Sequence, residues 1–162
     1  MMSLVTPQST PVTIPANSVV STALRTGVDS DVLVIWMGTN GLTVGGSFTP
    51  EQLVDYHNMA INYAATKKNI IIGLHTGDLN SRKTQEEAMQ KAFGLRYINL
   101  RKYMVEQGLV DAGLEPTQED TEFINQGKCP PQLLMDRTHF TTIGYTLVGK
   151  LVYQRGVSLG YW

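Results

Sequence analysis

The sequence is short of cysteine, of long apolar runs and of charge of one sign, and each shortage excludes a class of protein. The single cysteine, Cys129, cannot form a disulfide within the chain, and no zinc-type Cys/His spacing surrounds it. The longest apolar run, residues 32–37, is too short to cross a membrane, and no basic segment followed by an apolar one marks an export signal. The 13 basic and 14 acidic residues are scattered, so we expect no field that would attract nucleic acid or anionic lipid. We therefore predict no metal, no cofactor, no membrane and no nucleic-acid partner.

The residues that are present favour one compact α/β domain. A chain of 162 residues, 42% of them hydrophobic, can bury a single core. Residues 1–30 are rich in Ser, Thr, Val and Pro and predict an extended or β-like arm, whereas residues 31–162 alternate apolar runs with helical patterns. We therefore expect an N-terminal arm, residues 1–30, followed by an α/β domain, residues 31–162.

Within the α/β domain, apolar runs alternate with segments of helical periodicity. Residues 32–37 predict a central parallel strand buried on both faces, and residues 69–75 and 97–100 predict two further strands. Helices are predicted at residues 49–67, from 78 to 93, at 101–107 with a stop at Gly108, and at 141–155, where Ile143 opens the apolar stripe. Such alternation predicts βα units and a parallel sheet covered on both faces.

Two sets of polar residues stand where a parallel sheet would gather them. Gly38 and Asn40 follow the first strand, where glycine permits a sharp turn and an amide can donate to an oxyanion; the alternative is a turn that merely ends the strand. Asp136 and His139 precede the last helix, and a carboxylate three residues before a histidine can orient the ring as a general base. The alternative for this second set is a helix cap beside a surface histidine. A cleft at the carboxyl ends of the strands would bring both sets together.

Another histidine, His75, directly follows the second strand. We predict that it lies at the edge of the same cleft and that His75 and Gly38 both contact substrate. The alternative is a loop histidine that is bonded locally.

The two sets also carry a resemblance to a known family. Residues 31–40 (DVLVIWMGTN) resemble the segment of the SGNH, or GDSL-like, hydrolases in which an apolar strand ends in Gly-x-Asn, and residues 136–145 (DRTHFTTIGY) are similar to their closing Asp-x-x-His segment. The likeness spans residues 31–162. It implies a flavodoxin-like three-layer α/β/α sandwich, incomplete at its N-terminus, in which Asn40 is an oxyanion donor, Asp136 the orienting carboxylate and His139 the base.

The chain departs from the family pattern at two places. Gly41 stands where the family usually has Asp, so Asn40 would lack a supporting carboxylate. No strand followed by Gly-Asp-Ser precedes Asp31; Ser30 stands before a strand, which makes it a weak candidate for the nucleophile. Three explanations fit: the serine lies upstream, it is supplied by another chain, or the domain binds its ligand without cleaving it.

The expected function is therefore that of a serine esterase whose nucleophile is not evident in the chain. The resemblance implies removal of O-acetyl or similar small acyl groups from carbohydrate, with a small ester or an acetylated glycan as substrate. The alternative is an inactive glycan-binding or structural module of a phage tail or cell-surface assembly. Location in a virion or outside the cell and assembly into a homo-oligomer both stay open.

Overall fold

The computed structural model describes residues 13, 15–16, 31–39, 48–64 and 66–162. The predicted N-terminal arm lies almost wholly outside these residues, as do Asn40 and Ser30. The strands and helices reported below therefore belong to the predicted α/β domain.

The described strands form a three-stranded parallel sheet. Strand β1 (Val32–Ile35) pairs with β2 (Lys68–Ile72), and β2 pairs with β3 (Tyr97–Ile98), which gives the order β1-β2-β3. Each strand contains β-branched or aromatic apolar residues, which are the residue types that fit a pleated and buried surface. The prediction of an α/β chain with a parallel sheet is confirmed.

Two crossover helices connect these strands and pack on one face of the sheet. Helix α1 (Pro50–Ala64) begins with reciprocal hydrogen bonds between Thr49 and Gln52, and α2 (Leu79–Phe93) begins with a capping box that Asp78 forms with Ser81. Both helices contribute to one buried cluster, which contains Leu53, Ile71, Met89, Phe93 and Tyr97. Helices on one face are the expected result when successive parallel strands are added in one direction with crossovers of one hand.

The rest of the chain covers the opposite face. After β3 it forms α3 (Leu100–Tyr103), a π-helical turn (Met104–Gly108), α4 (Leu109–Ala112), α5 (Gln118–Asn125) and α6 (Thr142–Ser158). Ile72 belongs to the buried cluster on this face, whereas its neighbour Ile71 belongs to the cluster under α1 and α2. Because successive side chains of a strand point to opposite faces, β2 is covered on both sides. Leu147 and Val148 are the buried contacts that α6 adds to this second cluster.

Two predictions about β1 and α6 were wrong. In the described sheet the middle strand is β2, and β1 lies at an edge with Val34 42% exposed, although its sequence predicted a central strand buried on both faces. Hydrophobicity reports how much burial a strand favours but not how many neighbours it has. In the predicted stripe on α6, Leu147 and Val148 are buried and Leu151 and Val152 are partly buried, whereas Ile143 at the first turn is exposed.

Gly108 does not stop a helix, and this prediction was also wrong. It ends the π-helical turn, and the chain continues as α4 until Gly113, whose left-handed backbone (φ 67°) ends the helix. A Cβ at position 108 would lie only 2.8 Å from Leu133 Cδ1. The glycine is therefore required for close packing of this segment against Leu133. Helix α1 in turn ends at Ala64, three residues before its predicted end.

Candidate functional site

The Asp-x-x-His segment lies in a closed loop, residues 134–140, directly before α6. Leu134 and Phe140 form an antiparallel bridge at the base of the loop, and the N–H of Met135 donates to the carbonyl of His139 at 2.7 Å. Helix α6 is capped by Thr141, whose hydroxyl accepts the N–H of Gly144. The cap of α6 is thus Thr141, and the carboxylate of Asp136 is directed to the loop itself.

The carboxylate of Asp136 accepts three hydrogen bonds from residues 138 and 139. Its Oδ1 accepts the N–H of Thr138 at 3.1 Å and the N–H of His139 at 2.7 Å, while its Oδ2 lies 2.7 Å from His139 Nδ1. Bonds to the charged form favour it, and they lower the pKa of Asp136 to about 2, with the backbone N–H of His139 as the largest cause. The carboxylate is therefore ionised at neutral pH and can only accept. This assigns the Nδ1 proton to the imidazole of His139.

The side chain of His139 is largely exposed. The side chains of His139 and Asp136 are 65% and 57% exposed. Since Nδ1 donates to Asp136, Nε2 of the neutral ring carries a lone pair, and no hydrogen-bond partner for it is found in the part of the chain that the structure describes. A hydroxyl group or a substrate could approach this atom directly.

Arg137 lies between Asp136 and Thr138 and has a positive φ of 68°. Among the described residues it is the one residue other than glycine with a positive φ. A left-handed backbone costs a residue with a side chain about 1–2 kcal/mol. In exchange, the turn brings the backbone N–H groups of Thr138 and His139 under the carboxylate of Asp136. Backbone strain at this position is therefore coupled to the orientation of Asp136.

His75 is buried beneath the loop, with 5% of its surface exposed. Its Nε2 lies 2.6 Å from the carbonyl oxygen of Thr138, and its Nδ1 is buried without a partner among the described residues. Burial is the main cause of a lowered pKa for His75, which favours the neutral ring. His75 therefore lies next to the Asp-x-x-His segment, and its hydrogen bond goes to the chain itself. Its contact with substrate stays a prediction.

Aromatic rings join the loop to the carboxyl ends of β1 and β2. Phe140, the residue after His139, lies with its ring centre 4.2 Å from that of His75 and 6.1 Å from that of Trp36, which directly follows β1. Trp36 also meets His75 edge-on at 5.8 Å, and Tyr145 of α6 lies 6.3 Å from Trp36. One aromatic cluster therefore connects the Asp-x-x-His loop with the carboxyl ends of β1 and β2. Its members are Trp36, His75, Phe140 and Tyr145.

Gly38 has a backbone that favours glycine, with φ at 116°. A Cβ there would lie 3.0 Å from Leu53 Cδ1, so the chain turns closely over α1 at this point. Gly38 lies two residues after Trp36 and hence near the aromatic cluster. The predicted oxyanion donor Asn40 and the weak nucleophile candidate Ser30 lie outside the described residues.

The described residues offer no site for a metal ion, since no group of three or more His, Cys, Asp or Glu side chains converges among them. Cys129 is buried, which raises the pKa of its thiol to about 12. Within the same residues, no helix is long and apolar enough to span a membrane.

Sequence reasoning missed the parts of the site that depend on contacts distant in sequence. The hydrogen bond from His75 to Thr138 spans 63 positions, and the ring contacts of Phe140 were not foreseen. The burial of Phe140 could have been predicted locally, because it is an apolar residue between His139 and Thr141, the threonine that caps α6. No pattern in a single sequence indicates that its neighbours are Trp36 and His75.

Comparison of the chain with protein-family models, with curated proteins and with solved structures found no match. The relationship to the SGNH hydrolases therefore stays a prediction based on residues 31–40 and 136–145.

Proposed function

We propose that this chain is the C-terminal part of an esterase of the SGNH type, with Asp136 and His139 as its acid–base pair. The observation that carries the proposal is the 2.7 Å contact between Asp136 Oδ2 and His139 Nδ1 in a histidine whose side chain is 65% exposed. An imidazole oriented in this way is the general base of a Ser-His-Asp triad. Asp136 has no role in capping α6, because Thr141 already performs it.

In the proposed reaction, His139 removes the proton of a serine hydroxyl through Nε2 while the serine oxygen attacks the ester carbonyl. Asp136 stabilises the imidazolium that results, and its lowered pKa keeps it ionised throughout. The imidazolium then donates the proton to the leaving alcohol, and water repeats the sequence to release the acid. Asn40 is proposed to donate to the oxyanion, an interaction worth about 3 kcal/mol in comparable sites.

The finer fold assignment, a flavodoxin-like three-layer sandwich of the SGNH type, belongs to the same proposal. It is supported by parallel strands joined by helices on one face, by further helices on the other face, and by a final helix that follows the Asp-x-x-His loop. An acetylated carbohydrate is the proposed substrate, and this choice rests on the resemblance alone.

A non-catalytic function is the second candidate, and the described serines favour it. Ser81 is occupied in the cap of α2, and the hydroxyl of Ser158 donates to the carbonyl of Arg155 at the end of α6. No serine among the described residues is bonded to His139. A glycan-binding or structural module of a phage tail or cell-surface assembly would keep the loop without needing a nucleophile.

The two candidates predict different results for one set of variants. If the chain is an esterase, the purified protein hydrolyses p-nitrophenyl acetate, and His139→Ala and Asp136→Asn reduce the rate to background. Asp55 is an exposed carboxylate on α1, so the control variant Asp55→Asn should leave the rate unchanged. A fluorophosphonate probe should then label one serine in the wild-type chain. If the wild-type chain and His139→Ala share the same background rate and no serine is labelled, the chain does not catalyse the reaction by itself. Retained binding of an acetylated polysaccharide would then support the non-catalytic module.

A further inference from the structure

We propose that His75 is a positioning residue that orients Asp136 through the peptide group between Thr138 and His139. The inference rests on the proposed function of the Asp136–His139 pair, and it assigns a role to a residue that lies 61 positions before Asp136 in the sequence. Its basis is a series of hydrogen bonds that share a single peptide group.

The carbonyl of Thr138 and the N–H of His139 belong to the same planar peptide group. The carbonyl oxygen accepts from His75 Nε2 at 2.6 Å, and the N–H donates to Asp136 Oδ1 at 2.7 Å. The two groups point in opposite directions, so the peptide is held at both ends and cannot rotate without breaking both bonds. Hydrogen bonds in series also polarise one another, so donation from His75 strengthens the bond that the same peptide makes to Asp136.

The surroundings of His75 maintain it as a neutral donor. A carbonyl oxygen can only accept, so Nε2 must carry the ring proton. A second proton would have to be placed on Nδ1, which is buried and has no acceptor among the described residues. The titratable groups that act on the ring are His139 and Arg82, and positive charge on either adds to the effect of burial in disfavouring protonation. His75 therefore remains a neutral donor to the carbonyl of Thr138.

The hydrogen bond to Thr138 is the polar contact that the structure gives to the buried ring of His75. Its ring centre lies 4.2 Å from that of Phe140 and 5.8 Å from that of Trp36, so its aromatic neighbours offer it no hydrogen-bond acceptor of ordinary strength. A histidine that only filled this volume would bury two nitrogens at a cost and gain nothing. The bond to Thr138 provides the gain.

The first test uses the wild-type chain. In a ¹⁵N-labelled sample, the ring nitrogen shifts of His75 report which nitrogen carries the proton. The proposal requires the proton on Nε2, and a proton on Nδ1 would overturn it without any variant.

The second test compares His75→Gln, which can present an amide donor near the position of Nε2, with His75→Leu, which cannot donate. The ¹³C shift of the Asp136 carboxyl group is followed through an acid titration, together with the Nδ1 proton signal of His139. In His75→Leu the pKa of Asp136 should rise from about 2 toward its ordinary value of 3.8, and the Nδ1 proton signal should broaden or disappear. His75→Gln should stay close to wild type. A leucine variant that titrates like wild type, or a glutamine variant that shifts as far as leucine, would contradict the proposal.

These measurements involve no turnover and no nucleophile. A chain that fails to hydrolyse p-nitrophenyl acetate but shows the expected titrations would refute autonomous esterase activity and leave the role of His75 intact. If the chain hydrolyses the ester but Asp136 in His75→Leu titrates as in wild type, esterase activity is supported and the role of His75 is refuted.

Discussion

Replacement of Phe140 by leucine tests whether the aromatic cluster positions the Asp136–His139 pair. Phe140 is 1% exposed, and its ring lies 4.2 Å from His75, 5.7 Å from Tyr145 and 6.1 Å from Trp36, centre to centre. Aromatic contacts contribute about 0.5–1.5 kcal/mol each beyond the burial of area, and neighbouring contacts are not additive. Leucine retains most of the apolar area and loses these contacts, so we expect Phe140→Leu to lower the free energy of unfolding by about 2–3 kcal/mol.

The assay is urea unfolding, combined with the NMR signal of the His139 Nδ1 proton. Phe93→Leu is the matched control, because Phe93 is equally buried but belongs to the cluster under α1 and α2, where its ring meets His57. Both variants should lose comparable stability, and the Nδ1 signal should change in Phe140→Leu alone. If Phe140→Leu loses stability but leaves that signal as in wild type, the cluster stabilises the fold without positioning the pair, and our reasoning is refuted.

Two further predictions concern stability. Gly108→Ala should lower the free energy of unfolding by about 1–3 kcal/mol, because the new Cβ would press on Leu133. Gly149 on α6 has open space around it, so Gly149→Ala should raise the free energy of unfolding by up to about 1 kcal/mol. Equal effects of the two variants in urea unfolding would contradict this explanation. Burial lowers the pKa of His57 below 6.5, so the unfolded chain takes up a proton that the folded chain resists, and the free energy of unfolding should fall as pH decreases below about 6.5. His57→Leu should reduce this fall, and an unchanged pH dependence would show that the acid sensitivity arises elsewhere.

The elements that could be predicted are those whose signals are local. Strand β2 is indicated by its apolar β-branched run, and both β2 and helix α2 lie close to their predicted positions. The Asp136–His139 contact is of the same kind, since three positions of separation are enough to bring the carboxylate to Nδ1. In each case the partners are near neighbours along the chain, so a single sequence carries the information.

The remaining features depend on which distant segments meet. The apolar run of β1 predicted complete burial, yet Val34 is 42% exposed, because the burial of a side chain depends on which distant segments cover its face of the sheet. Gly108 carried the signal of a helix stop, and its actual role is set by Leu133, which lies 25 positions later. The contact between His75 and Thr138 likewise joins two segments that have no common pattern.

The local character of the Asp136–His139 contact bears on its meaning. A pair formed within four residues could exist as a turn without any function, so the contact alone does not separate a catalytic loop from a structural one. A turn that served only to start α6 would need nothing beyond Thr141, which already caps the helix. The additional bonds, from His75 to Thr138 and from the backbone to Asp136, stabilise no element of secondary structure. We propose that they fix the orientation of the exposed imidazole of His139. Such a ring gains from a fixed orientation when another molecule must meet its second nitrogen.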